Sequence, residues 1–184
     1  MSPVQPEAGD FFVTATKGPW LDRLAAHVIQ WDTATDDDGH FTDSPVNHAG
    51  LSTGGDTIAE ALRRFDYGTA GEYPDAIWST GRLPARLTPA PEQRTLIVNA
   101  THDMIGLRYN VLDLFEIGLA QRRMHDMVTS DSRLARRVDR RNKVICSEAV
   151  VRAYRAAGID LFPGRLAALV SPGDLYELLV PAQS

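Results

Sequence analysis

Cysteine is almost missing from this chain of 184 residues, which contains only Cys146. An intramolecular disulfide is therefore excluded, and so is a zinc site built from several thiolates. Lysine is nearly as scarce, with Lys17 and Lys143 against an abundance of arginine, a bias of coding and not of chemistry. No apolar run approaches the ~18 residues of a membrane span. A basic excess is also lacking. The formal net charge is −5, which argues against a protein that coats nucleic acid. Residues 1–10 contain Pro3, Pro6, Glu7 and Asp10 and lack the basic-then-apolar order of a signal peptide. Sec-dependent export is thus disfavoured, and the expected location is cytoplasmic or phage-associated. There is no His-Glu-x-x-His, Gly-x-Gly-x-x-Gly or P-loop, so a zinc protease, a dinucleotide enzyme and an NTPase have no motif support. What is present is ordinary for a globular protein: 43% hydrophobic and 23% charged residues. The length suits one domain of roughly 100–200 residues. We expect a tail over residues 1–8 and a single domain over 9–184, without internal repeats or an interdomain linker.

Local patterns predict the elements. Asp10 to Ala15 is a β-branched and aromatic run that reads as a strand. Residues 20–31 space Leu21, Leu24, Ala25, Val28 and Ile29 as a helix. Residues 32–45 form an acidic, turn-rich loop. Val46 to Leu51 reads as a strand, and a Gly-containing turn follows. Thr57 to Phe65 fits either a helix or a short strand after a hairpin turn. A short strand is expected near Ile77 and Trp78. Glu92 to Ile105 reads as a helix ended by Gly106. Tyr109 to Met127 forms a second helical stretch, and Ser130 to Lys143 a basic helix or loop. Ser147 to Ala157 is helical up to Gly158. Pro172 suits the first position of a last short helix.

The segment Lys143-Val144-Ile145-Cys146-Ser147-Glu148 carries the most chemistry. Apolar residues lead into Cys146 and a helix follows. A thiol at a helix N-terminus sits at the positive end of the macrodipole, which favours the thiolate. The structural alternative is a small buried hydrophobe. A nucleophilic thiolate needs a histidine, and the histidine an orienting partner. Among five histidines, His27 lies in an amphipathic helix, His40 in the acidic loop, and His102 and His125 in helical stretches. His48 differs, because it sits within a strand, and strands aim side chains well. Glu60 lies twelve residues on, where a hairpin would set its strand beside that of His48. Taken alone, His48 also reads as a satisfied sheet histidine, and Glu60 as a surface carboxylate.

The order of these pieces resembles a known family. Gly9-Asp10-Phe11-Phe12, Asn47-His48-Ala49-Gly50-Leu51, Glu60-Ala61, Gly106-Leu107-Arg108-Tyr109, Cys146-Ser147-Glu148 and Ser171-Pro172-Gly173-Asp174 follow one another as in the circularly permuted NlpC-type papain-like cysteine peptidases. That group includes the YiiX-like proteins and is related to the lecithin:retinol acyltransferase family. The resemblance covers about residues 9–178. It implies an α+β fold of the permuted papain-like type, an antiparallel sheet with packed helices and the catalytic cysteine at a helix N-terminus. It implies Cys146 as nucleophile, His48 as base and Glu60 as the residue that orients the imidazole. Tyr109 matches a tyrosine near the site. Asn47, in place of a small hydroxyl residue, would join it in substrate binding. No cofactor and no metal are implied.

The expected function is a cysteine hydrolase that cleaves an amide bond, such as one in a cell-wall peptide, through a thioester. A lipid-directed acyltransferase, thioesterase or phospholipase on the same site is the alternative. A third reading is a non-catalytic binding or virion structural protein, which an occluded Cys146 or a His48 turned away from it would favour. The substrate is expected to be a peptide or acyl compound and not nucleic acid. Arg133–Arg141 could contact a membrane surface or an anionic polymer, although a solvated helix face is the simpler reading. The acidic loop fails as an EF-hand, because aligning Gly39 puts Ala34 and Pro45 at ligand positions.

Overall fold

The computed structural model describes residues 6–15, 45–62, 64–109 and 143–180. The helix expected at 20–31, the acidic loop to residue 44, His27, His40, His125, residues 110–127 and Arg133–Arg141 lie outside them.

Five strands form one antiparallel sheet: β1 (Phe11–Thr14), β2 (His48–Gly54), β3 (Thr57–Ala61), β4 (Phe65–Thr69) and β5 (Ile77–Trp78). Their order is β4-β3-β2-β1-β5. Gly54 and Gly55 both have positive φ, at 119° and 59°. Side chains rarely adopt that backbone, so the pair closes a tight hairpin between β2 and β3. This settles the ambiguous stretch from Thr57. Its helix-like spacing is overridden by ladder pairing on both sides, to β2 and to β4. A second, two-stranded sheet pairs β6 (Arg108–Tyr109) with β7 (Lys143–Val144) in parallel. Tyr109, expected to open a helix, is therefore in a strand.

Three α-helices accompany the sheets among the described residues: α1 (Pro91–Met104), α2 (Cys146–Ala156) and α3 (Pro172–Leu179). Proline stands at the first position of α1 and α3, where its missing N–H costs nothing. At the end of α2, Gly158 N–H donates to Arg155 O and Ile159 N–H to Tyr154 O, a Schellman closure. The mixture of helices with an antiparallel sheet makes the fold α+β.

Strand periodicity sorts the sheet into two faces. Phe11 and Val13 of β1, Ala49 and Leu51 of β2, and Ala59 and Ala61 of β3 share one face and join the buried core. Helix α2 packs on that face against β2, and α1 packs on α2. The core contains Val150, Val151 and Tyr154 of α2 and Ile97 of α1. Phe12, His48, Gly50, Ile58 and Glu60 alternate with these residues and occupy the other face.

Residues 7–10 are held by the buried Asp10 carboxylate. Asp10 Oδ1 accepts from Arg94 Nη1 at 2.9 Å, and Oδ2 from Thr80 Oγ1 at 2.5 Å and from Glu7 N–H at 2.9 Å. Arg94 also holds Glu7 and the carbonyl of Ala8. Both of those residues belong to the stretch read as a tail. No helix among the described residues is long and apolar enough to cross a membrane.

Candidate active site

His48 is the first residue of β2 and Cys146 the first of α2. The register pairs Gly50 with Glu60. Glu60 is thus the diagonal neighbour of His48 on the same sheet face, a separation that long side chains bridge. His48 Nε2 and Glu60 Oε2 are 2.6 Å apart. The Cys146 side chain neighbours the same imidazole and favours its charged form. The structure thus brings together Cys146, His48 and Glu60, the three residues singled out from the sequence.

Burial alone opposes charge on the His48 ring. The interactions with Cys146 and Glu60 outweigh it, and the imidazole is pushed up to about 9. The site therefore favours imidazolium at neutral pH, flanked by sulfur on one side and carboxylate on the other. Exposure is low throughout: Cys146 is 2% exposed, His48 4% and Glu60 5%.

The residues after Cys146 hold the helix start in place. Glu148 Oε2 accepts from Ile145 N–H at 3.2 Å, and Glu148 Oε1 pairs with Arg152 at 2.6 Å. Ser147 Oγ donates to Val170 O at 2.5 Å, which ties α2 to the segment before α3. The first-turn N–H groups of Cys146 and Ser147 have no intrahelical acceptor. Beside an electrophilic carbonyl they could stabilise an oxyanion.

Two glycines make room for the site. A Cβ on Gly68 would come within 2.6 Å of Glu60 Oε1, and one on Gly50 within 2.6 Å of the Phe12 ring. Phe12 fills that space, tilted against Tyr73 and Trp78 and edge-on to His48.

Tyr73 was not singled out from the sequence. It follows a short 3-10 turn, Ala70–Glu72, after β4. Its hydroxyl donates to Glu60 Oε2 at 2.5 Å. Burial and the Glu60 carboxylate hold that hydroxyl protonated well above the ordinary tyrosine range. No local periodicity signals such a residue, because the contact depends on where a turn folds back.

Asn47 is buried just before β2, and its N–H donates to Thr14 O. Tyr109 pairs with Val144, two residues before Cys146. His102 is exposed on α1, edge-on to Tyr67. Among the described residues no group of three or more His, Cys, Asp or Glu side chains could hold a metal ion. Compared with protein-family models, curated proteins and solved structures, the chain matches none.

Proposed function

We propose that the protein is a cysteine hydrolase that cleaves an amide bond through a thioester, on a permuted papain-like arrangement of Cys146, His48 and Glu60. The observation that carries this reading is the buried His48 imidazole held between the Cys146 sulfur and the Glu60 carboxylate. Three separate elements converge there, α2, β2 and β3, and ordinary core packing does not require that chemistry.

In the proposed reaction the Cys146 thiolate attacks the carbonyl carbon. The C=O electrons move to oxygen, where helix N–H groups stabilise the charge. Collapse of the tetrahedral adduct breaks the C–N bond, and the His48 imidazolium gives its proton to the departing amine. The neutral imidazole then takes a proton from water, and the hydroxide equivalent cleaves the thioester to release the acid and restore the pair. Glu60 holds the ring and balances its charge.

A second reading has one observation in its favour. Cys146 is only 2% exposed, and an attacking sulfur must reach a carbonyl carbon. A binding or virion structural protein that retains this constellation would also bury it.

Iodoacetamide alkylation of the native chain across pH separates the two. The hydrolase reading expects a thiolate-like rate that persists below about pH 7 and is lost in His48→Ala. A rate that follows an ordinary thiol of pKa ~8.5, or no reaction until the chain unfolds, overturns it in favour of the non-catalytic reading. Peptide amides and acyl esters tested alongside distinguish amide cleavage from lipid-directed chemistry.

A further inference from the structure

The Glu60 carboxylate accepts from two side chains among the described residues, and both meet one oxygen. His48 Nε2 lies 2.6 Å and Tyr73 Oη 2.5 Å from Oε2. The other oxygen, Oε1, lies over Gly68, so close that a Cβ there would be 2.6 Å away. The carboxylate is therefore fixed from three sides: by the ring it supports, by a phenol and by a bare stretch of β4. The Tyr73 ring itself stands 5.7 Å from the His48 ring and 5.2 Å from Phe12, centroid to centroid.

We propose that Tyr73 is a positioning residue of this site, its phenol holding the Glu60 carboxylate in the rotamer that orients His48 toward Cys146. The inference rests on the thiol–imidazole reading above and adds a fourth member to its hydrogen-bond chain. A carboxylate with a long, flexible stem has several rotamers, and a single bond to His48 does not select among them. A second donor from a different element does. The phenol suits the task, because burial and the adjacent carboxylate keep its proton in place across the working pH range. It touches no reacting atom, so its effect passes through Glu60 and His48.

Tyr73→Phe removes the hydroxyl and keeps the ring packing, so the fold should survive with only a small fall in urea midpoint, about 1 kcal/mol. The test is a nitrogen-15 NMR titration of His48 in the native chain and in this variant. With one donor gone, the carboxylate can swing from the ring and the imidazolium loses support. We expect the His48 midpoint to fall by roughly half a unit or more. We also expect Cys146 alkylation at neutral pH to slow on the order of tenfold, as small misplacements of reacting groups do. In a Glu60→Gln background, adding Tyr73→Phe should have little further effect, because the residue acts through that carboxylate. A His48 midpoint that is unchanged or raised overturns the proposal, and so do additive effects of the two substitutions. The titration needs no turnover. Slow alkylation in the native chain would sink the hydrolase reading while leaving the Tyr73 question answerable.

Discussion

The His48 imidazole joins the chemistry of this molecule to its stability. Its charged form is favoured in the folded state, with a value of about 9 against 6.5 for a free histidine. A raised value stabilises the fold fully below about pH 6.5, and that contribution fades as pH climbs toward 9. By linkage it is worth up to about 3 kcal/mol, since each unit of pKa corresponds to about 1.4 kcal/mol. Urea midpoints measured from pH 6 to 9.5 should thus fall more steeply for the native chain than for His48→Gln. Parallel curves would show that the imidazole gains no charge on folding. In the proposed hydrolysis this proton goes to the leaving amine, so that activity should decline over the same alkaline window.

At the scale of elements, the site depends on strands that carry side chains in some places and omit them in others. Gly50 and Gly68 both leave room on the face of the sheet that holds His48, yet their substitutions should differ. A Cβ at position 50 meets the Phe12 ring at 2.6 Å and the carbonyl of Ala59 at 3.0 Å. Neither yields without moving a strand or a fully buried ring. Gly50→Ala should therefore destabilise the fold by about 1–3 kcal/mol, the usual range for overpacking. At position 68 the near atom is the tip of the Glu60 side chain, which can turn without moving a strand but then gives up its bonds to His48 and Tyr73. Gly68→Ala should spare the core packing and cost less than Gly50→Ala, its loss being that of the Glu60 bonds alone, about 1 kcal/mol, and should slow Cys146 alkylation. Equal loss of stability in both variants would refute this division. The element pattern was only partly legible beforehand. β1, the strand of His48, α1, α2 and α3 follow from apolar spacing, a proline at N1 and a terminal glycine. The stretch from Thr57 did not declare itself, because Ile58, Ala61, Leu62 and Phe65 fit a helical period as well. Pairing with β2 and β4 decided it. Tyr109 belongs to a two-residue parallel strand whose partner lies at residue 144, and no local pattern encodes so distant a pairing.

At the scale of the whole molecule, Asp10 is a tie between β1, α1 and the segment after β5. It is 1% exposed and accepts from Arg94, Thr80, Ser79 and the N–H of Glu7. Tyr154 of α2 adds a bond to the neighbouring carbonyl of Gly9 at 3.0 Å. Removing Asp10 leaves Arg94 with only the exposed Glu7 carboxylate and the Ala8 carbonyl, and strips Thr80, Ser79 and the Glu7 N–H of their acceptor. Asp10→Ala should cost on the order of 3–5 kcal/mol by chemical denaturation, and a loss under about 1 kcal/mol would mean that the network is dispensable. The polar cluster around Asp10 thus serves the fold, whereas that around Glu60 serves the candidate site.

The sequence by itself determined the chemistry available: one thiol, placed by its flanking residues at the head of a helix, a histidine in a strand, and a carboxylate twelve residues further on. These are local properties, set by side-chain type, by period and by the capping and turn preferences of a few residues. Tertiary structure alone decided that the three meet, that the thiol is buried, and that Tyr73 and Gly68 confine the carboxylate. Those outcomes depend on strand register and on where a turn returns the chain, and both are fixed by pairing between segments that no short window of sequence contains.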